Sequence, residues 1–303
     1  MILCIGEILA DMVMNDSGEI RAHIGGAPFN VAVNASTCGA EVVFLGRVGD
    51  DPIGKFLKRE ARKFPLKSMI QTDEERNTTI AFVSIDESGE RDFTFLRRDS
   101  ADYHIEISDD LFDEVRPDIV HIGSLMLSDK VGRKIAFEAL KESKKRKIKV
   151  SFDVNYREDV FKYDEKAVDA CKKIIEEADI VKFSEEESEL VYGKTFNEVF
   201  SSLENPVVCV TLGRDGSMIK LGDKLVTAES EPVEPVDTTG AGDGFIGSFL
   251  WKLQSLGIDR DSISVADENT LRNCLDFSNR FCALSVQKEG AIASYPTISM
   301  LGK

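Results

Sequence analysis

The chain has 303 residues, with 38 Lys and Arg against 54 Asp and Glu and a formal net charge of −16. Hydrophobic residues make up 42% and charged residues 30%, which describes a globular chain rather than a disordered or membrane-embedded one. The acidic balance argues against a nucleic-acid backbone or an anionic membrane as main partner, because both need clustered Lys and Arg; a local basic pocket for a phosphate stays open.

Length allows one large α/β domain or two of roughly 150 residues. No run approaches the ~20 apolar residues of a membrane span. The opening Met1-Ile2-Leu3-Cys4-Ile5-Gly6-Glu7 has no basic flank and reaches a carboxylate at once, so it reads as a first strand and not as a signal peptide. The six cysteines, Cys4, Cys38, Cys171, Cys209, Cys274 and Cys282, form no C-x-x-C. Buried free thiols in a reduced cytoplasm are the expectation.

In chain order, strands are expected at Ile2–Ile5, 42–45, Ile119–Ile122, 148–152, 180–183 and 207–212. Several are Val/Ile-rich without alternation, as in strands covered on both faces. Helix-like segments lie between them, such as 130–147, with Val131, Ile135, Phe137 and Leu140 on one face. Its basic end, Lys144-Lys145-Arg146-Lys147, complements the helix dipole and solvates the surface. Strand–helix repetition implies a mainly parallel central sheet flanked by helices. Two stretches break the rhythm: 12–24, with the turn Asn15-Asp16-Ser17-Gly18, and 78–98, whose alternation surrounds Asp86-Glu87-Ser88-Gly89. They are expected to form a small antiparallel flap outside the main sheet, the alternative being an edge hairpin of that sheet.

Neither common phosphate fingerprint is present. Gly6-Glu7-Ile8-Leu9-Ala10-Asp11 stands where G-x-G-x-x-G would follow the first strand, and Gly193-Lys194-Thr195 lacks the upstream glycine of a P-loop. The strongest signal is Asp237-Thr238-Thr239-Gly240-Ala241-Gly242-Asp243-Gly244. A helical pattern from Phe245 to Leu256 follows and ends at Gly257, a C′ residue by type. The glycines therefore sit at a helix N-terminus, where unpaired N–H groups favour an anion. A carboxylate beside a bound phosphate is repulsive, so Asp243 makes sense as a group that handles a proton; helix capping by Asp243 or Thr239 is the simpler alternative. The second signal is Gly25-Gly26-Ala27-Pro28-Phe29-Asn30 before a helical segment. Its paired glycines permit close ligand approach, and Asn30 offers donor and acceptor. Asp11, at the end of the first strand segment, and Asn30 suit a polyhydroxylated ligand.

These two motifs, in this order and far apart, resemble the two signature regions of the PfkB family of ribokinase-like carbohydrate kinases, and the likeness spans nearly the whole chain. The resemblance implies a single ribokinase-like α/β/α domain, 1–303, with the flap as a β lid. It implies transfer of the γ-phosphoryl of ATP to a primary hydroxyl of a monosaccharide, with Mg²⁺ and a K⁺ option. Asp243 matches the catalytic base, and Gly240, Ala241 and Gly242 the anion hole. Asp11, Gly25, Gly26 and Asn30 fall in the sugar-binding regions. Thr211, Gly213 and Gly216 resemble the nucleotide-binding T-x-G-x-x-G, and Asn279 a residue near the adenine. Asp237, Thr239, Gly290 and Ser294 resemble a monovalent-cation site. Asp153-Val154-Asn155-Tyr156-Arg157 resembles D-x-N-x-R, whose Arg157 meets phosphate or substrate. The family's N-x-x-E appears as Ser184-Glu185-Glu186-Glu187. Glu187 keeps its place, reaching Mg²⁺ through water, while Ser184 replaces Asn; the same residues also spell a capping box.

Gly-Gly-Ala-Pro-x-Asn resembles fructokinases more than ribokinases, as does Phe95–Asp102, where Arg98 is expected to reach the substrate. A 2-keto-3-deoxygluconate kinase is the alternative, its substrate carboxylate suiting Arg98 or Arg157. Ribose, nucleosides and a catalytically silent sugar-binding regulator follow. Subunit pairing through the lid into a homodimer is implied by the family. Trp251 is expected to pack in the core.

Overall fold

A computed structural model of the chain describes residues 1–14, 17–85, 91–161, 164–258 and 266–301. Its strands in chain order are β1 (Ile2–Ile5), β2 (Leu9–Met14), β3 (Ile20–Gly25), β4 (Val42–Gly49), β5 (Lys67–Asp73), β6 (Ile80–Ile85) and β7 (Arg91–Leu96). They continue with β8 (Ile119–Ile122), β9 (Lys149–Asp153), β10 (Ile180–Ser184), β11 (Val207–Thr211), β12 (Ser217–Leu221) and β13 (Lys224–Ala228). Nine form the main sheet in the order β13-β12-β11-β10-β9-β8-β1-β4-β5. β12 and β13 run antiparallel at one edge, and the other pairings are parallel. The period-2 geometry of β1 splits its side chains between two cores. Ile2 and Cys4 join the helices Ala27–Cys38, Ala241–Ser255 and Glu268–Ser285. Leu3 and Ile5 join Lys130–Lys145 and Glu165–Glu177 on the opposite face.

The six strands expected from apolar runs are all present, with ends shifted by a few residues. The expected 207–212 strand stops at Thr211, where Leu212 leads into the 3-10 turn Gly213–Asp215. β5, β12 and β13 were not expected. β5 is polar and half-exposed, and the other two alternate as antiparallel strands do, so none carries a continuous apolar run. The helix expected over 130–147 ends at Lys145, and its buried face is Gly132, Ile135, Ala136, Ala139 and Leu140, with Val131 and Phe137 only partly covered. The basic run is occupied by carboxylates: Lys144 pairs with Glu177, and Arg146 with Glu142 and Asp113. Trp251 packs beside Phe277, ring centres 4.9 Å apart.

β3-β2-β6-β7 form a separate sheet, not an edge of the main one. It is mixed rather than antiparallel: two hairpins join through the parallel pair β2–β6. The turn residues Asn15, Asp16 and 86–89 lie outside the described residues. Register assigns its two faces. Asp11 is opposite Ala81, which is opposite Phe95, and Val13, Val83 and Phe93 follow the same line. The other face carries Met14, Ile20, Phe82 and Leu96, all exposed. Asp11 thus belongs to β2 of this small sheet and not to the end of the first strand.

The six cysteines are free thiols, and among the described residues no helix is long and apolar enough to cross a membrane. Where β7 leaves the small sheet, Arg97 is buried and donates through Nε to Asp102 Oδ2 at 2.9 Å and through a terminal nitrogen to the Leu125 carbonyl at 2.8 Å. Thr79 and Ser100 hydroxyls donate to the other Asp102 oxygen. Both charged side chains are 2% exposed or less. Asp102→Ala leaves a guanidinium unpaired in the core, and a loss of about 3–5 kcal/mol is expected in urea unfolding.

Candidate active site

The two glycine motifs meet, although 213 residues separate them. Asn30 Nδ2 donates to Asp243 Oδ2 at 2.8 Å, and one turn on, Asn34 Nδ2 donates to the Gly244 carbonyl at 2.9 Å. These bonds hold the starts of Ala27–Cys38 and Ala241–Ser255 side by side. Gly240 precedes the second helix with φ +74°, a left-handed conformation that suits glycine, and Tyr295 donates to its carbonyl. Asp237 braces the approach. Its Oδ1 accepts the Thr239 N–H at 3.0 Å and its Oδ2 the Gly290 N–H at 2.6 Å. Ser294 is buried nearby in the chain and donates to the Ala291 carbonyl. The four residues compared above with a cation site thus include three that Asp237 ties together.

The site opens at the C-terminal ends of the parallel strands, where ligands bind in open α/β sheets. Two cavities adjoin there. The narrower, about 70 Å³, is lined by Asp11, Gly26, Asn30, Arg157, Gly240 and Asp243, together with Thr239. The wider, about 370 Å³ and so the roomier for a nucleotide, is lined by Ser184, Thr211, Gly213, Gly216, Ala241, Gly242 and Asn279. Asn279 is set in place by Ser217, whose hydroxyl donates to its side-chain oxygen at 2.8 Å, and by donating to the Ala228 carbonyl. Gly193 ends one helix and Thr195 begins the next, which leaves no P-loop there.

Three expected residues sit elsewhere. Gly25 does not line the narrow cavity; it ends β3 against Asp11, so close that a methyl group on it would stand 2.2 Å from Asp11 Oδ2. Arg98 is exposed and lines a different cavity with Asn77 and Asp159, because β7 has ended and the chain has turned the buried position over to Arg97. Glu187 is absent from the wide cavity's lining, where Glu185 and Glu186 stand instead. Its carboxylate accepts the Ser184 N–H at 2.7 Å while its own N–H donates to Ser184 Oγ at 3.2 Å, completing the capping box.

Lining residues of the narrow cavity that had been given no role include Glu7, Phe93, Phe95 and Leu125; Asn155, the Asn of D-x-N-x-R, lines it as well. The aromatic pair was hidden in a strand alternation. Glu7 follows the first strand without any motif around it. It is fully buried, one oxygen accepts the Ala27 N–H at 3.2 Å, and Oε2 has no hydrogen-bond partner among the described residues. Asn30 Oδ1 is likewise buried and unpartnered. Buried acceptors of this kind suit a ligand rich in hydroxyl donors. Burial pushes Glu7 up to about 7, and pushes Asp243 up to about 6 against the lowering effects of Asn30, Lys182 and Arg157. Asp243 is therefore ionised near neutral pH but basic enough to take a proton.

A family model for pfkB family carbohydrate kinases matches residues 1–298. A fructokinase of Escherichia coli is 33% identical over 299 residues, spanning 96% of this chain and 95% of that protein. A probable fructokinase-2 of Arabidopsis thaliana is 33% identical over 98% of this chain and 93% of its own length. Among solved structures, a fructokinase of Xylella fastidiosa with bound ATP superposes with a TM-score of 0.90 at 27% identity, covering 99% of this chain and 96% of that one. A fructokinase of Vibrio cholerae O395 in its fructose-, ADP- and calcium-bound form has a TM-score of 0.86 at 28% identity, covering 99% and 97%.

Gly25→Ala is expected to push the Asp11 carboxylate out of place. Losing one charged hydrogen bond to a ligand corresponds to roughly a 10-fold or larger rise in the half-saturating sugar concentration; titration calorimetry of the variant checks it.

Proposed function

This chain belongs to the pfkB family of carbohydrate kinases, the ATP-dependent sugar phosphotransferases, and from that premise we propose that its acceptor is fructose. The observation that carries the reading is the position of Asp243 on the boundary of the two cavities. Ala241 and Gly242, just before it, line the wide one, and Asp243 with Gly240 lines the narrow one. A sugar in the narrow cavity and ATP in the wide one would present a hydroxyl and a γ-phosphoryl group to the same helix N-terminus. The fructokinase relatives support the ketose, and the fructose and ADP held together by the Vibrio protein support a site that takes both ligands.

Asp243 takes the proton of the attacking hydroxyl, and the amides of Gly240, Ala241 and Gly242 receive the transferring group's charge. Asp11 and Asn30 orient the sugar. Phe93 and Phe95 of the small sheet, acting as a lid, exclude water over it. ATP lies along Thr211, Gly213 and Gly216, with its base near Asn279 and its phosphates toward Ser184.

Among the described residues no three His, Cys, Asp or Glu gather into a metal cluster. Mg²⁺ usually arrives with nucleotide phosphates and keeps its water; Glu187 would hold it through water. The ion supplies charge neutralisation. Asp237, Thr239, Gly290 and Ser294 would hold K⁺ beside the anion-binding turn. A homodimer buries the exposed lid face of Met14, Ile20, Phe82 and Leu96, and the free thiols suit the cytoplasm. Arg157 in the narrow cavity supports a second reading, a keto-acid sugar such as 2-keto-3-deoxygluconate, whose carboxylate it would pair.

Coupled assay of ADP release decides between these. Fructose is expected to stimulate it most; preference for 2-keto-3-deoxygluconate would replace fructose with the second reading. Asp243→Asn should lower kcat roughly 10²–10⁴-fold with sugar affinity little changed. In the wild type, kcat/KM should fall as pH drops through about 6, where Asp243 gains its proton.

A further inference from the structure

A buried ion pair lies under the site with no part in the mechanism above. Parallel register sets Lys182 on β10 beside Asp153 on β9, the first residue of Asp153–Arg157. Lys182 Nζ lies 3.0 Å from Asp153 Oδ1 and 3.2 Å from Oδ2, and both side chains are 5% exposed. Such a pair contributes little stability over an apolar pair of the same volume, because both charges lose their water. Its placement suggests another use. A methyl group on Gly242 would stand 2.8 Å from Nζ, so the ammonium lies against the backbone of the anion-binding turn, one residue before Asp243.

We propose that Lys182 is a positioning residue for the phosphoryl transfer: its charge, fixed beneath Gly242, keeps Asp243 in the ionised form that accepts the hydroxyl proton. The inference rests on Asp243 being the base. The charged groups around Asp243 come from several elements. Lys182 and Arg157 are the cations, and Glu187, Asp153, Glu7 and, across the cavity, Asp11 are the carboxylates; the Tyr295 phenol also faces it. Carboxylates outnumber cations, and Arg157 stands in the cavity, where a sugar's own groups compete for it. Lys182 is buried and lines neither cavity. Burial works against its charge, but Asp153 and Glu187 outweigh that and hold the ammonium above its ordinary range. Removing it takes away a positive charge that lowers the Asp243 pKa, so Asp243 gains its proton at higher pH.

The test is the pH dependence of kcat with the best sugar acceptor, for the full-length wild type, Lys182→Met and Lys182→Arg, with folding checked by thermal melting. Lys182→Met is expected to move the acid limb upward by about one pH unit or more. Lys182→Arg, which keeps the charge, should return it toward the wild type. An unmoved limb in folded Lys182→Met overturns the proposal, as does a limb that Arg fails to restore. If Lys182→Met does not fold because Asp153 is left unpaired, Lys182→Met with Asp153→Leu removes the pair as a unit. An upward shift is expected there too, smaller because the Asp153 charge that opposes Lys182 is also gone, and its absence again overturns the proposal. A wild-type rate unaffected by Asp243→Asn would instead sink the reading of Asp243, independently of Lys182.

Discussion

The Asn30–Asp243 hydrogen bond is the constraint on which the site depends. Each residue stands in the first turn of its own helix, and each helix begins at a glycine-containing turn. Joining them places the two glycine motifs a single hydrogen bond apart. The packing beneath requires small residues. A methyl on Gly247 would stand 2.9 Å from Asn34 Oδ1 and from the Val31 carbonyl, so only a bare backbone lets the two helices approach this closely. Asn34, bonded to the Gly244 carbonyl, repeats the tie one turn deeper. The geometry of chemistry and the geometry of the core are therefore one problem here.

Charge is handled by burial rather than by exposure. The chain is acidic, and its site collects Glu7, Asp11, Asp153 and Asp243 around a ligand that itself arrives with phosphates. Three cations offset this from different directions: Arg97 under Glu7 and Lys182 under Gly242, both buried, and the exposed Arg157 at the cavity. Arg97 also accounts for a specific difference between expectation and structure. Of the two adjacent arginines, Arg98 was expected at the substrate. The strand ends at Leu96 but its inward–outward alternation continues, so Arg97 falls on the buried side, where Asp102 and the Leu125 carbonyl receive it, and Arg98 on the exposed side. The arginine that the fold uses is a structural one, and Leu125, whose carbonyl it holds, lines the narrow cavity.

The small sheet shows how register turns a modest sequence into two surfaces. Odd positions, Asp11, Phe93 and Phe95, line the cavity. Even positions, Met14, Ile20, Phe82 and Leu96, are exposed. A slip of one residue would exchange the faces. The parallel β2–β6 pair that sets this register joins segments separated by some of the main sheet's own strands, which is why the stretch read as a simple antiparallel flap.

The amino-acid sequence by itself determined the six central strands, the two glycine turns and the helices that follow them. These depend on local physics: apolar runs that demand cover on both faces, glycines where the backbone needs φ > 0 or close approach, and the 3.6-residue period of Phe245–Leu256. It also determined the family, because two motifs in fixed order leave few alternatives. Only the tertiary structure decided what lies between them. Glu7 is a lone carboxylate after a strand until burial leaves one of its oxygens unpartnered. Lys182 and Asp153 are unremarkable until neighbouring strands set them side by side. Glu187, matched to a metal-shell carboxylate, turns out also to cap a helix, which only its hydrogen bonds reveal. Desolvation and pairing across strands depend on which distant segments become neighbours, and that is settled by the packing of the whole sheet, not by any local window of residues.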